Sequence, residues 1–367
     1  MRVLMTADTV GGVWTYATEL ARALAERNVD VVLATMGAPL SAAQRAQAAA
    51  VPGLLVEQST YRLEWMEDPW ADVDRAGAWL LELERAHRPD LVHVNGYAHG
   101  SLDWSAPALV VGHSCVRSWH EAVRRAPAGG EWSEYTRRVA DGLRAADAVV
   151  APSRYMRDAL LRHYGALRDV RVIYNARRAD EFAPAAKEEI IVAAGRVWDE
   201  AKNLAVLDVI ARDVAWPIHI AGAATSPDGQ TYASQSAHLL GVLAPDALAA
   251  WLGRAAVFAH PARYEPFGLS GLEAALAGCA LVLGDIPSLR ELWDGAAVFV
   301  DPDDAHGIAT AIDGLCRAPA RRVSLAARAR ARARRFTPAR MADAYLQVYD
   351  ELQARAATAV EVIACAS

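Results

Sequence analysis

Two carboxylates, Glu265 and Glu273, stand eight residues apart in YEPFGLSGLE, with no other charge between them. Phe267, Gly268 and Leu269 fall where a helix is expected to begin. Backbone N–H groups there have no acceptor within the helix, and the helix dipole adds positive potential. A phosphate at that end would find donors and a favourable field. Gly268 lacks the Cβ that would block close approach. Ser270, in the first turn, can offer its hydroxyl to that phosphate or to its own helix start. Glu273 sits further along, on a turn that can face the same crevice, where a carboxylate accepts hydrogen bonds from sugar hydroxyls. The plainer alternative is a solvated helix start with Glu265 as a partner of the dipole.

A second pair lies in RVWDEAKN, after the apolar run IIVAAG. Arg196 and Lys202 can converge on a diphosphate, one as a planar fork and one as a point charge. An ordinary surface salt bridge is the competing reading. A diphosphate that departs as a leaving group gathers negative charge as its bond breaks. Without a metal, cations and helix-terminal amides must absorb it. Metal ligands are not evident. Asp301-Pro302-Asp303-Asp304 contains a DxD but reads as a helix cap, and Asp72 and Asp74 are two apart on a helix, where they do not share a face. A metal-independent enzyme is expected. A serine-nucleophile elbow around Ser270 is excluded because Leu272 stands where glycine is needed.

These residues must be positioned by parallel α/β structure. An apolar strand, Ala256 to Ala259, precedes Glu265; a helix from about Phe267 to Ala277 follows, then a strand from Ala280 to Gly284. Loops at the carboxyl ends of parallel strands are where open sheets bind ligands. Upstream, Arg2 to Asp8 makes the first strand. Gly11 and Gly12 lie at the turn into a helix, as a phosphate-approach site or simply a tight turn. Strands follow at Asp30 to Met36, Leu54 to Gln58, Leu91 to Asn95, Ala108 to Gly112, Ala148 to Ala151 and Val170 to Tyr174, with a long helix from about Asp68 to Ala86. Residues 1–175 therefore read as one Rossmann-like domain. Polar residues 176–189 read as a linker, and a second domain spans 190–336 with strands at Ile190 to Ala194, Pro217 to Ala221 and Ala297 to Val300. The segment 337–356 places Met341, Tyr345, Val348, Tyr349 and Leu352 on one helical face. The Ala/Arg run at 326–335 reads as a helix with a solvated charged face.

Composition narrows the class. At 367 residues, with 53% hydrophobic and 22% charged residues, the chain fits two soluble α/β domains. A net charge of −6 argues against a nucleic-acid partner. The chain opens directly on a strand pattern and carries no apolar run long enough to span a bilayer. A cytoplasmic protein is expected, with peripheral membrane contact left open. Cys115, Cys279, Cys316 and Cys365 are isolated and fit neither a disulfide nor a zinc framework. Trp14, Trp65, Trp70, Trp104, Trp119 and Trp132 lie in the first domain, as sugar-stacking faces or as core.

The string YEPFGLSGLEAALAG, between a strand and a helix, resembles the signature of retaining glycosyltransferases of family 4. That resemblance implies the GT-B fold: two Rossmann-like doubly wound domains facing across a cleft, with the C-terminal helix crossing back onto the first. It implies a nucleoside diphosphate sugar donor and a hydroxyl acceptor, whether sugar, lipid or small molecule. The family's Arg and Lys pair is usually one residue closer together than Arg196 and Lys202. By resemblance His113, after the strand ALVVG, contacts hydroxyls of the donor sugar and Glu265 holds others, while Glu273 takes the ribose. The base meets backbone near Gly241 to Leu243, around Val242, which says little about its identity; UDP is expected as the commonest carrier. His93, His99 and His120 show no consistent ligand spacing and could instead shape the acceptor site. A hydrolase or epimerase of the same fold and a non-catalytic sugar-nucleotide-binding protein are the alternatives. An NAD-dependent oxidoreductase is weakened by the missing GxGxxG.

Overall fold

The computed structural model describes residues 1–226 and 229–366. Two compact units divide the chain: Met1–Glu121 with Ala126–Asn175 and Pro338–Ser367, and Ala176–Thr337 with Ala122–Arg125. The first unit holds β1 (Arg2–Asp8), β2 (Asp30–Met36), β3 (Leu54–Gln58), β4 (Leu91–Val94), β5 (Ala108–Val111), β6 (Ala148–Ala151) and β7 (Val170–Val172). They form one parallel sheet in the order β3-β2-β1-β4-β5-β6-β7. Val3, Leu4, Met5 and Ala7 of β1 are fully buried, the continuous apolar run required of a strand covered on both faces. The order reverses between β1 and β4, so the ligand crevice of this sheet lies at their carboxyl ends. Gly11 caps the helix Gly12–Ala25 there at φ 110°, a conformation that side chains rarely adopt.

The C-terminal helix Pro338–Ala366 returns to this first unit, and its Met341, Tyr345, Val348, Tyr349 and Leu352 are all buried, as their spacing predicts. Its polar seam is specific. The Tyr16 hydroxyl donates to that of Tyr345 at 2.6 Å and lies 3.2 Å from His93 Nε2, while the Tyr349 hydroxyl is 2.6 Å from His93 Nδ1. His93 and His99 do not shape an acceptor site. Both are buried, and His99 Nε2 sits 2.9 Å from the Val73 carbonyl. His120 packs between Trp119 and Trp132. Of the tryptophans, Trp14 and Trp104 serve structure, donating their indole N–H groups to Gln47 and to the His99 carbonyl.

The second unit holds β8 (Glu188–Ala194), β9 (Ile218–Ala221), β10 (His238–Gly241), β11 (Ala255–His260), β12 (Ala280–Gly284) and β13 (Ala297–Val300), in the order β10-β9-β8-β11-β12-β13. Its switch point falls between β8 and β11. The short edge strand β10, half-buried and exposed throughout, has no apolar pattern to announce it. Two sequence expectations change here. Residues 176–189 are not simply polar tether, since Arg177 and Phe182 are buried. Nor is the Ala/Arg run only a solvated face. Arg330 donates to the Leu276 carbonyl at 3.1 Å and Arg332 to those of Leu292 and Asp294 at 3.3 and 2.5 Å, each at a helix C-terminus where a cation opposes the dipole. Cys115, Cys279 and Cys316 are buried thiols outside any disulfide; the side chain of Cys365 lies outside the described residues. No described helix is long and apolar enough to cross a membrane.

Burial, reinforced by neighbouring His113, lowers the pKa of His93 from 6.5 to about 3. Between those values the unfolded chain binds a proton that the native state refuses, so stability falls as pH drops below 6.5. Glu64, whose carboxyl burial pushes from 4.5 to about 6, acts in the opposite sense between those two values. Urea melts should show level stability above pH ~7 and a loss approaching about 1.4 kcal/mol per pH unit for His93 below ~6.5, with a flatter profile in His93→Asn. A wild-type protein equally stable at every pH from ~7 to ~5 would contradict a neutral buried His93.

Candidate functional site

At the switch point of the second unit, β8 and β11 pair in parallel and each feeds a loop from its carboxyl end. Backbone and side-chain bonds stitch the two loops together. The N–H groups of Arg263 and Tyr264 both reach the Ala201 carbonyl, at 2.9 and 3.2 Å. Asn203 Nδ2 donates to the carbonyls of Pro261 and Pro302 at 2.9 and 2.8 Å, and its Oδ1 accepts from Arg263 at 2.6 Å. Asp199 shapes the first loop, its carboxylate accepting from the Ala201 N–H at 3.0 Å and its carbonyl from the Lys202 N–H at 2.9 Å.

The result is a buried cluster. Lys202 Nζ lies 2.7 Å from Glu265 Oε2, and His260 Nε2 lies 3.2 Å from the same oxygen. Burial would push the Glu265 carboxyl up, but the Lys202 charge and the His260 hydrogen bond outweigh it and hold the group well below the usual carboxylate range. Both contacts fall on Oε2, and among the described residues Oε1 takes no protein hydrogen bond. The Glu265 carbonyl accepts from Ser288 Oγ at 2.5 Å, which fixes the backbone beneath the carboxylate.

Gly268 turns the chain from this carboxylate into the helix Leu269–Leu276. Its φ of +88° is left-handed, and a Cβ would sit 3.1 Å from Glu265 Cγ, so turn and close packing both call for glycine. The helix starts two residues later than the sequence suggests. Phe267 is instead an apolar anchor, buried edge-on against Phe336 at 5.7 Å. Leu272 is the first residue whose N–H finds a helical acceptor, the Gly268 carbonyl at 3.1 Å. The N–H groups left without a helical acceptor at this end are therefore those of Gly268, Leu269, Ser270 and Gly271. At the other end Lys187 Nζ donates to the Ala277 carbonyl at 2.7 Å, beside the Arg330 contact to Leu276. Cations thus occupy the negative end of this helix and leave its positive end for an anion.

The other expected donor residues fall into place unevenly. Arg196 projects half outward, over the Trp198 ring at 5.3 Å, with Nη2 2.6 Å from Asp199. Lys202 is largely buried, its side chain being only 19% accessible. Glu273 is buried and its carboxylate is matched by Arg177 Nε at 2.9 Å, a partner 96 residues before it in the chain. Val242 is 77% exposed just after β10. Asp208 fixes the segment leading into β10, accepting from the N–H groups of Gln235, Ser236 and Ala237 at 2.9, 2.8 and 2.7 Å and from the hydroxyls of Tyr232 and Ser234. Asp304 caps its helix through the Gly307 N–H at 2.9 Å, as its DxD context suggests. Among the described residues no three histidine, cysteine or acidic side chains gather as a metal site.

Gly11, Gly12 and His113 belong to the first unit. The two glycines follow β1 and His113 follows β5, with its Nε2 2.9 Å from Asn95 Oδ1. Burial lowers the His113 pKa to about 3. Sequence reasoning missed His260, Ser288, Arg177, Asp208 and Asn95. Only His260 carried a signal, as the polar residue closing the otherwise apolar strand AAVFAH.

Replacing Lys202 by methionine should leave Glu265 buried against His260 alone and cost about 3 kcal/mol of stability. Lys202→Met combined with Glu265→Gln should recover most of that loss, because no buried charge is then stranded. Denaturant melts of the four proteins test the coupling; strictly additive losses would contradict it.

The chain is similar to known glycosyltransferases in sequence and in fold. The family described as Glycosyltransferase Family 4 matches residues 10–181, and that described as Glycosyl transferases group 1 matches residues 188–318. A D-inositol 3-phosphate glycosyltransferase of Xylanimonas cellulosilytica is 28% identical, over 94% of this chain and 93% of its own. An alpha-maltose-1-phosphate synthase of Mycolicibacterium smegmatis is 26% identical, over 96% of this chain and all of its own. Among solved structures, Anabaena HepE in complex with UDP-glucose superposes with a TM-score of 0.78 at 17% identity, covering 96% of this chain and 100% of that one. A sucrose-phosphate synthase from Thermosynechococcus elongatus gives 0.77 at 19% identity, covering 97% and 100%. The fold is therefore GT-B.

Proposed function

The chain belongs to glycosyltransferase family 4, and from that premise we propose that it transfers a sugar from a nucleoside diphosphate sugar, UDP-linked, to a hydroxyl acceptor, with retention at the anomeric carbon and without a metal. One observation carries the reading: the Lys202–Glu265–His260 cluster lies at a sheet switch point, one glycine turn from the open donors of Leu269, Ser270 and Gly271. The UDP-glucose bound by the Anabaena structure supports the choice of nucleotide.

In this reading the diphosphate lies on the helix start. Lys202 has three N–H donors and gives only one to Glu265, so it can hold the carboxylate and the leaving phosphate together. Arg196, half-exposed on the same loop, adds a second cation. Both oppose the negative charge that grows as the glycosidic bond to phosphate breaks. Glu265, kept ionised by Lys202, offers Oε1 to a sugar hydroxyl and a negative field to the electron-poor anomeric carbon. His113 meets further hydroxyls of the sugar, and the backbone around Val242 meets the base. Glu273, paired with Arg177, receives the ribose hydroxyls. The acceptor hydroxyl attacks from the face that the phosphate leaves, with no covalent intermediate. The relatives' names favour an inositol phosphate or a sugar phosphate as acceptor.

The test incubates the protein with UDP-glucose and an inositol or sugar phosphate, with and without EDTA, and reads UDP release and the anomeric proton of the product. An α-linked product, formed equally in EDTA, is expected. A β-linked product contradicts retention, loss in EDTA contradicts metal independence, and UDP release without any glycoside supports a hydrolase. Lys202→Met should lower turnover about a hundredfold to a thousandfold.

A further inference from the structure

Asn95 follows β4 and stands beside β1 at the switch point of the first unit, with its side chain held between two partners. Its Nδ2 lies 2.7 Å from the Thr6 carbonyl, and its Oδ1 lies 2.9 Å from His113 Nε2. A backbone carbonyl can only accept, so the atom facing Thr6 must be the NH2 group and the atom facing His113 must be the oxygen. The backbone N–H of Asn95 adds a bond to Thr6 Oγ1 at 2.8 Å, which pins the residue at its root. An oxygen that only accepts demands a proton on His113 Nε2. Half-buried and held neutral, His113 then carries its lone pair on Nδ1, which has no protein partner among the described residues.

We propose that Asn95 is a positioning residue that fixes His113 in the tautomer protonated on Nε2, so that His113 accepts through Nδ1 a hydrogen bond from a hydroxyl of the donor sugar. The inference rests on the reading that His113 meets that sugar. It adds a direction to the contact: the sugar donates and the protein accepts. A donor sugar carrying fluorine in place of that hydroxyl could not donate, and would lose the contact despite keeping its size. The titratable groups facing His113 are Tyr16, whose ring meets it edge-on at 4.5 Å, and His93. Neither is charged at neutral pH, since burial raises the Tyr16 pKa and lowers that of His93.

The experiment is nitrogen NMR of the protein labelled with 15N-histidine, without any ligand, the His113 signals being assigned by their loss in His113→Gln. At neutral pH Nε2 should read as protonated and Nδ1 as unprotonated, with no titration down to about pH 4. In Asn95→Asp the added carboxylate should raise the His113 pKa by about one to three units. A proton found on Nδ1, or an even mixture of tautomers, in the wild-type protein overturns the proposal whether or not the variant folds. An unchanged pKa in a folded Asn95→Asp protein also overturns it. Because no donor is present, these results bear on the tautomer alone. Failure of UDP-glucose to bind or react would instead strike the proposed function.

Discussion

A carboxylate removed from water must be paired or neutralised, and in the second unit that requirement falls on Glu265. The loops after β8 and β11 are held together through Ala201, Asn203 and Arg263, and what they hold is the contact from Lys202 to Glu265. The same pair that removes a buried charge as a structural liability presents an ammonium to one side and a free carboxylate oxygen to the other. Stability and chemistry therefore share one interaction. This arrangement has a cost, because any change that improves one partner's access to a ligand weakens the other's burial.

The helix Leu269–Leu276 extends the same logic. It is only eight residues long, too short to stand alone, and its ends are treated differently. Lys187 and Arg330 satisfy the carbonyls at its C-terminus, while a left-handed glycine at its N-terminus opens the first-turn donors. An anion at that end completes the set. In the first unit the seam of Tyr16, His93, Tyr345 and Tyr349 anchors the C-terminal helix through uncharged groups. Its histidine is kept uncharged by burial, so the seam is sensitive to acid where the Lys202–Glu265 pair is not.

Much of this was legible in the sequence because parallel sheets write themselves as apolar runs. β1, β2, β3, β6, β12 and β13 begin and end where the runs do, and the glycines at 11 and 268 mark turns that only glycine makes comfortably. The helical stripe from Met341 to Leu352 was equally plain. What the sequence hid is polar and long-range. Glu273 finds Arg177 in a stretch that reads as a tether, and Asp208 organises a segment nearly thirty residues downstream. No periodicity records such pairings, since they depend on how loops return in space. Lys202 is legible as a residue but its partner is not, because a strand-end lysine gives no hint that a carboxylate waits 63 positions later. β10 escaped for a simpler reason: an edge strand with no buried face has nothing to alternate.

The most direct test of the central claim, that the Lys202–Glu265 cluster and the adjoining helix start form a diphosphate site, is calorimetric titration of UDP and of uridine into the wild-type protein and Lys202→Met, all in EDTA. The account predicts that UDP binds far more tightly than uridine to the wild-type protein, and that the variant loses most of that difference while keeping its weak affinity for uridine. A folded Lys202→Met protein that binds UDP as the wild type does would contradict it.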